Sequence, residues 1–312
     1  MKKIRNFCAL AVILLSQQSL AWGPLGHKTT ALIAESYLTP KARLAVEEIL
    51  NGQRLVDVVN WADSLRGMQE FSHTLPYHYQ NMPNTDNIRR TNKVLYATTL
   101  KSIKSTKGYT AGVIEALVAS EETLTSRNLS LKEKELALKF FSHFIGDLHQ
   151  PLHTGRLADR GGNFVRLQWG TSETNLHRLW DSDLIYDRMK KLKVPQGQDY
   201  AIFYGNYLVK KYKNINYAQE YLEDIGLMYG ESVALQQIAY DPLYKEDQAQ
   251  YYEMSISKVD IRVYLAGRRM AALLNKYFDS YEPQSANAQL VKTIEKMFGP
   301  LNKLISLEPR GN

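Results

Sequence analysis

Cys8 is the only cysteine in the 312 residues, and it falls inside an N-terminal stretch that reads as a removable leader. Lys2, Lys3 and Arg5 form a positive end, Phe7 to Leu15 an apolar centre, and Ser19-Leu20-Ala21 a small-residue exit of the kind a signal peptidase reads. Cleavage after Ala21 is expected to leave a chain over 22–312 that starts at Trp22 and has neither thiol nor disulfide. Such a chain, working outside the cytoplasm, is held together by core packing, by metal, or by both. Any metal site in it must use nitrogen and oxygen ligands. Losing Lys2, Lys3 and Arg5 takes the net charge from +7 to +4, a mildly basic balance compatible with a polyanionic substrate. With 44% hydrophobic and 23% charged residues the chain is neither disordered nor fibrous. No apolar run reaches the roughly 18 residues a membrane-spanning helix needs.

The pattern along 22–312 is mainly helical. Thr39-Pro40 reads as an N-cap followed by proline at the first helical position, ahead of Ala42, Ala45, Val46, Ile49 and Leu50 at helical spacing. Val56 to Leu65 continues as a second short helix. Ser130-Leu131-Lys132-Glu133 is a capping box that opens a long helix through Phe140, Phe141, Phe144 and Ile145, stopped near Pro151. Further helices are expected over Asn175 to Met189, Val259 to Phe278 and Ala288 to Leu304. Gly161-Gly162-Asn163 turns into a short strand over Phe164 to Trp169, and Tyr77 to Gln80 reads as another extended segment. With no repeat, linker or composition break after Trp22, the expectation is a single-domain multi-helix fold with a few short β-strands.

Histidine and aspartate carry the chemistry. His143 and Asp147 lie four apart on the long helix, one turn apart on nearly one face, and His177 and Asp181 repeat that spacing. His153 stands just past the first of these helices, Asp63 follows Trp61-Ala62, and His78 and His27 complete the set. One His-x-x-x-Asp pair is an ordinary feature of an amphipathic helix. Two pairs with His153 between them point to a multinuclear metal cluster, and without cysteine the donor types suit Zn²⁺.

The run His143-Phe144-Ile145-Gly146-Asp147-Leu148-His149-Gln150-Pro151-Leu152-His153, then Gly161-Gly162-Asn163 and Asn175-Leu176-His177-Arg178-Leu179-Trp180-Asp181, resembles the zinc-dependent single-strand nucleases of the S1/P1 type. Trp22-Gly23 with His27, and Trp61-Ala62-Asp63 with His78, resemble the same family in order along the chain. Matches over Glu231 to Leu235, Ala266 to Ala271 and Leu274-Asn275 are weaker and read as packing. The resemblance implies a phospholipase C/nuclease P1-like helical fold around three zinc ions. One ion would be held by Asp63, His78, His143 and Asp147, and a second by His153, His177 and Asp181. The third would be held by His27, Asp147 and the amino nitrogen and carbonyl oxygen of Trp22. Asp147 would bridge two ions, Asp63 would orient the nucleophile, and Arg66 would bind phosphate. Tyr79 would stack a base. Asn81 stands where relatives often carry Asp, so no base preference is carried over. His149 and His73 are left without a metal.

The implied activity is that of a periplasmic or secreted endonuclease. It would cleave single-stranded DNA and RNA to 5′-phosphate products by metal-activated hydroxide attack, and would act on 3′-mononucleotides as well. No stable membrane insertion and no protein partner are expected. A zinc-dependent phospholipase C is the alternative; that family resembles this one but has Glu at the last ligand position, where this chain has Asp181. A non-enzymatic helical protein, a metal-buffering or nucleic-acid-binding module, is a third reading. It leaves the Trp22 terminus, the shared Asp147 and Arg66 without a purpose.

Overall fold

The computed structural model describes residues 22–80 and 112–281. The leader, Asn81 and the helix expected over Ala288 to Leu304 lie outside the described residues. The described chain is mostly helical, with one two-stranded antiparallel hairpin.

Helix α1 (Pro24–Tyr37) starts with proline in its first turn, and α2 (Pro40–Ile49) is capped by Thr39, whose side chain accepts from the Ala42 amide. Two single-turn helices follow, α3 (Leu55–Val58) and α4 (Trp61–Ser64), where sequence periodicity gave one helix over Val56 to Leu65. The break falls at Val59-Asn60. The Val59 carbonyl faces the His143 ring across the chain, so a tertiary contact replaces helical continuity there. Tyr77 to Gln80 is not a strand: a 3₁₀ helix runs over Gln69–His78, carrying Pro76, and the backbone becomes extended only at Tyr79.

Helix α5 (Val113–Thr125) packs beside α6 (Leu131–His149), which opens on the expected capping box of Ser130 and Glu133. A 3₁₀ turn over Pro151–Thr154 follows. Strand β1 (Arg166–Trp169) pairs with β2 (Ser172–Asn175) through Gly170, in register Arg166 to Asn175 and Trp169 to Ser172. The segment expected as one helix over Asn175 to Met189 has three parts. Asn175 caps a short turn over Leu176–Arg178, a π turn spans Leu179–Asp183, and α7 (Leu184–Lys191) completes it. Helices α8 (Tyr200–Tyr212), α9 (Ile225–Ala234) and α10 (Gln248–Tyr277) finish the described chain; α10 begins well before Val259.

Helices α1 and α10 cross at Gly267, where an added Cβ would sit 2.6 Å from the Ile33 Cβ. Two apolar clusters result. One joins α1, α2, α5, α6 and the second half of α10, with Phe141, Phe144 and Met270 inside. The other joins Trp22, Leu176, Trp180, Tyr204 and the first half of α10. Helices α1 and α10 belong to both and hold the histidine-bearing segments in fixed relation.

Candidate metal centre

The polar residues expected at the centre arrive on several segments of the chain. His27 stands in α1, Asp63 in α4, His78 at the end of the 3₁₀ helix, and His143 and Asp147 in α6. His153 stands in the turn after α6, His177 in the short turn before the π turn, and Asp181 within the π turn itself. All of these side chains are buried, with at most 7% of their surface exposed. A fully buried imidazole or carboxylate is costly unless something polar faces it.

Backbone carbonyls set the ring orientations. His143 Nδ1 lies 2.7 Å from the Val59 carbonyl, His177 Nδ1 2.6 Å from that of Gly161, and His153 Nδ1 2.5 Å from that of His78. Each ring donates from Nδ1, which fixes the neutral tautomer and leaves Nε2 as the acceptor facing inward. Gly161 can do this because it adopts φ +61°, and a Cβ there would meet the Leu152 carbonyl at 2.2 Å.

The inward atoms form two groups. In the first, His143 Nε2 lies 3.4 Å from Asp63 Oδ1 and 3.4 Å from Asp147 Oδ2. His78 Nδ1 lies 3.0 Å from Asp147 Oδ2 and 3.8 Å from Asp63 Oδ1. The other oxygen of Asp147, Oδ1, turns to His27 Nε2 at 3.2 Å. The His27 ring stacks on His143 with centroids 4.0 Å apart. In the second group His177 Nε2 lies 3.2 Å from His153 Nε2 and 3.3 Å from Asp181 Oδ2. Gln150, fully buried, donates a short bond to Asp181 Oδ1 and accepts from the Leu152 amide, so the carboxylate is held with Oδ2 toward the histidines. Sequence reading gave Gln150 no role; its signal was its place between His149 and Pro151.

These residues fit a metal. Donors on a tetrahedral zinc at about 2.0–2.1 Å stand about 3.3 Å from one another, and most of the distances above fall close to that value. His27 Nε2, His78 Nε2, His143 Nε2 and Asp147 Oδ1 are buried yet make no hydrogen bond. Burial holds His27, His78 and His153 well below the usual histidine range and takes His177 down to about 4, so these rings are neutral donors. Burial also pushes the Asp147 carboxyl up to about 8, with His143 pulling the other way. A divalent cation between the two would keep that carboxylate ionised.

At the edge of the centre, Arg66 Nε lies 2.9 Å from Asp63 Oδ1, and the Tyr79 ring is 40% exposed directly after His78. Asn81 lies outside the described residues. His149 points elsewhere: its Nδ1 donates to the Ile145 carbonyl and its Nε2 accepts from Arg269 Nη1 at 3.1 Å. His73 is exposed. Trp22 is fully buried, and the next amide, Gly23, donates to the Asp181 carbonyl at 2.8 Å, which places the start of the described chain against the π turn.

The model of the S1/P1 nucleases matches residues 22–279. The chain belongs to the S1/P1 nuclease family. Endonuclease 4 of Arabidopsis thaliana is 29% identical over 91% of this chain and 99% of its own length. Nuclease S1 of Aspergillus oryzae is 32% identical over 56% of this chain and 58% of its own, and nuclease P1 of Penicillium citrinum 29% over 52% and 57%. No helix among the described residues is long and apolar enough to cross a membrane.

Proposed function

We propose that the chain is a zinc-dependent endonuclease. It hydrolyses single-stranded DNA and RNA to 5′-phosphate products, has 3′-nucleotidase activity, and acts in the periplasm or outside the cell after loss of residues 1–21. Asp63, His78, His143 and Asp147 would hold one zinc. His153, His177 and Asp181 would hold a second, and His27 and Asp147, with the amino nitrogen and carbonyl oxygen of Trp22, a third. The observation that carries this reading is Asp147, whose two oxygens face the unpartnered Nε2 atoms of two different histidines, His27 and His143. Bound zinc supplies a water-derived nucleophile near neutral pH and shields phosphate charge.

The protein's residues do the rest. Asp63, anchored by Arg66, would orient the attacking water. The planar guanidinium of Arg66 would bind a non-bridging phosphate oxygen. Tyr79 gives a base a flat surface to stack on, which tolerates any base, and Asn81 would hydrogen-bond its edge. His27, His78, His153 and His177, kept neutral by burial, offer lone pairs without competing protonation.

The test is cleavage of single-stranded DNA and RNA by the purified protein, with and without chelator, with product ends identified by mass spectrometry. The expected result is 5′-phosphate products, loss of cleavage on zinc removal and recovery on adding zinc. Phosphatidylcholine should stay intact. No cleavage of either nucleic acid, or cleavage that survives verified zinc removal, would overturn the reading.

A further inference from the structure

The loop between His153 and β1 carries a feature the proposed chemistry does not use. Phe164 is 59% exposed, the largest value for any big apolar side chain among the described residues, and Leu157 on the same loop is next at 56%. The loop is nonetheless well tied. Gly161 N donates to the Arg156 carbonyl, and Phe164 N to that of Asp159. The Asp159 carboxylate accepts from Gly162 N and from the Tyr240 hydroxyl. A tied loop that holds Phe164 and Leu157 out to solvent together offers a contact surface to something.

Its surroundings say what. Arg160 lies over the Phe164 ring, 5.0 Å from the centroid, and Arg156 over Tyr240 at 4.0 Å. Arg156, Arg160 and Arg166 are all exposed. Within β1, Arg166 and Gln168 point outward and Leu167 is buried, and the exposed Phe164 stands two residues before Arg166 at the end of the loop. Against these three arginines stand Asp159, turned to Gly162 N and the Tyr240 hydroxyl, and Glu173, opposite Gln168 farther along the hairpin. The patch is therefore cationic and aromatic.

Its position ties it to the centre. Gly161, three residues before Phe164, holds His177 through its carbonyl. Three chain steps limit the separation of the two Cα atoms to about 11 Å. Arg166 pairs with Asn175, the cap of the turn that carries His177, and Leu176 N donates to the Val165 carbonyl.

We propose that Phe164, with Arg160 and Arg166 beside it, is a second stacking platform. It would receive a base of the single-stranded substrate one nucleotide beyond the pair joined at the cleaved phosphate. The inference rests on the nuclease reading and extends it: the patch makes the enzyme favour oligonucleotides over dinucleotides. Stacking supplies sequence-tolerant affinity, and the arginines follow the phosphates.

Steady-state kinetics of the holoenzyme on a 12-nucleotide oligothymidylate and on thymidine dinucleotide test this. Phe164→Ser should raise KM for the 12-mer about tenfold, with kcat moved less than about twofold. KM for the dinucleotide should not follow, and Phe164→Trp should restore the 12-mer value. Arg166→Ala should flatten the salt dependence of 12-mer binding by about 0.7 in log–log slope. An unchanged KM for the 12-mer, or an equal rise on both substrates, would overturn the platform while leaving the nuclease reading intact. A wild-type protein that cleaves neither substrate would overturn both.

Discussion

Gly146 has no side chain, and His27 uses the space. A Cβ there would lie 2.7 Å from His27 Nδ1 and 2.9 Å from its Cε1, closer than packed atoms can stand. His27 and Asp147 meet only because α6 is bare at that point. Gly146→Ala is expected to push the ring off Asp147 Oδ1, remove one zinc per chain and lower the cleavage rate at least about tenfold. The helix itself should survive, since alanine is the better helix former. Elemental analysis beside a rate measurement checks this, and full zinc content at full rate would show that His27 is not a ligand. His177 depends on glycine in the same way, through the carbonyl of a left-handed Gly161. The histidines and aspartates that gather at the centre were readable in sequence from residue type and spacing. The glycines and Gln150 that aim them were not, because their roles are set by which distant carbonyl, ring or carboxylate comes close.

At the scale of elements, the weight falls on the C-terminal end of α6. Arg262 of α10 donates from Nε to the His149 carbonyl at 3.0 Å and bonds Glu231 of α9. Arg269 meets the same carboxylate through both terminal nitrogens, at 2.7 and 3.0 Å, and donates to His149 Nε2. This cluster locks α9 and α10 onto the helix that carries His143 and Asp147. Burial opposes ionisation of Glu231, yet Arg269 and Arg262 hold its carboxyl down to about 2. A carboxylate depressed on folding stabilises the protein above its unfolded pKa of about 4.5 and loses that effect as pH falls toward 2. Glu231→Gln should therefore cost about 3 kcal/mol at pH 7, and the gap should narrow as pH falls below about 4.5 and close near pH 2. Chemical denaturation across that range reads the difference; a gap that does not narrow with acid would mean the ion pairs are not its source. Sequence placed α2 and α6 well because caps and apolar stripes are local signals. It misread Tyr77 to Gln80 and the π turn over Leu179–Asp183, where contacts with His153 and with the start of the chain decide the backbone. The missed strand β2 is short and polar, so its pairing with β1 left no alternating apolar pattern to find.

Across the whole molecule, segments from residue 22 to residue 181 meet at one buried centre, while the two apolar clusters sit to either side with α1 and α10 in common. No cysteine exists in the described residues to fasten those segments. In this account zinc is the fastener as well as the source of chemistry, and metal binding contributes directly to folding. The measurement that bears most directly on it is the zinc count of the purified protein and of Asp147→Asn, by elemental analysis, with cleavage of single-stranded DNA measured on the same samples. The account predicts three zinc ions per chain in the first. In the second it predicts fewer, with a rate lower by at least about a hundredfold, because Asp147 faces two sites at once. A wild-type protein without zinc, or an Asp147→Asn protein that keeps three ions and its full rate, would contradict it.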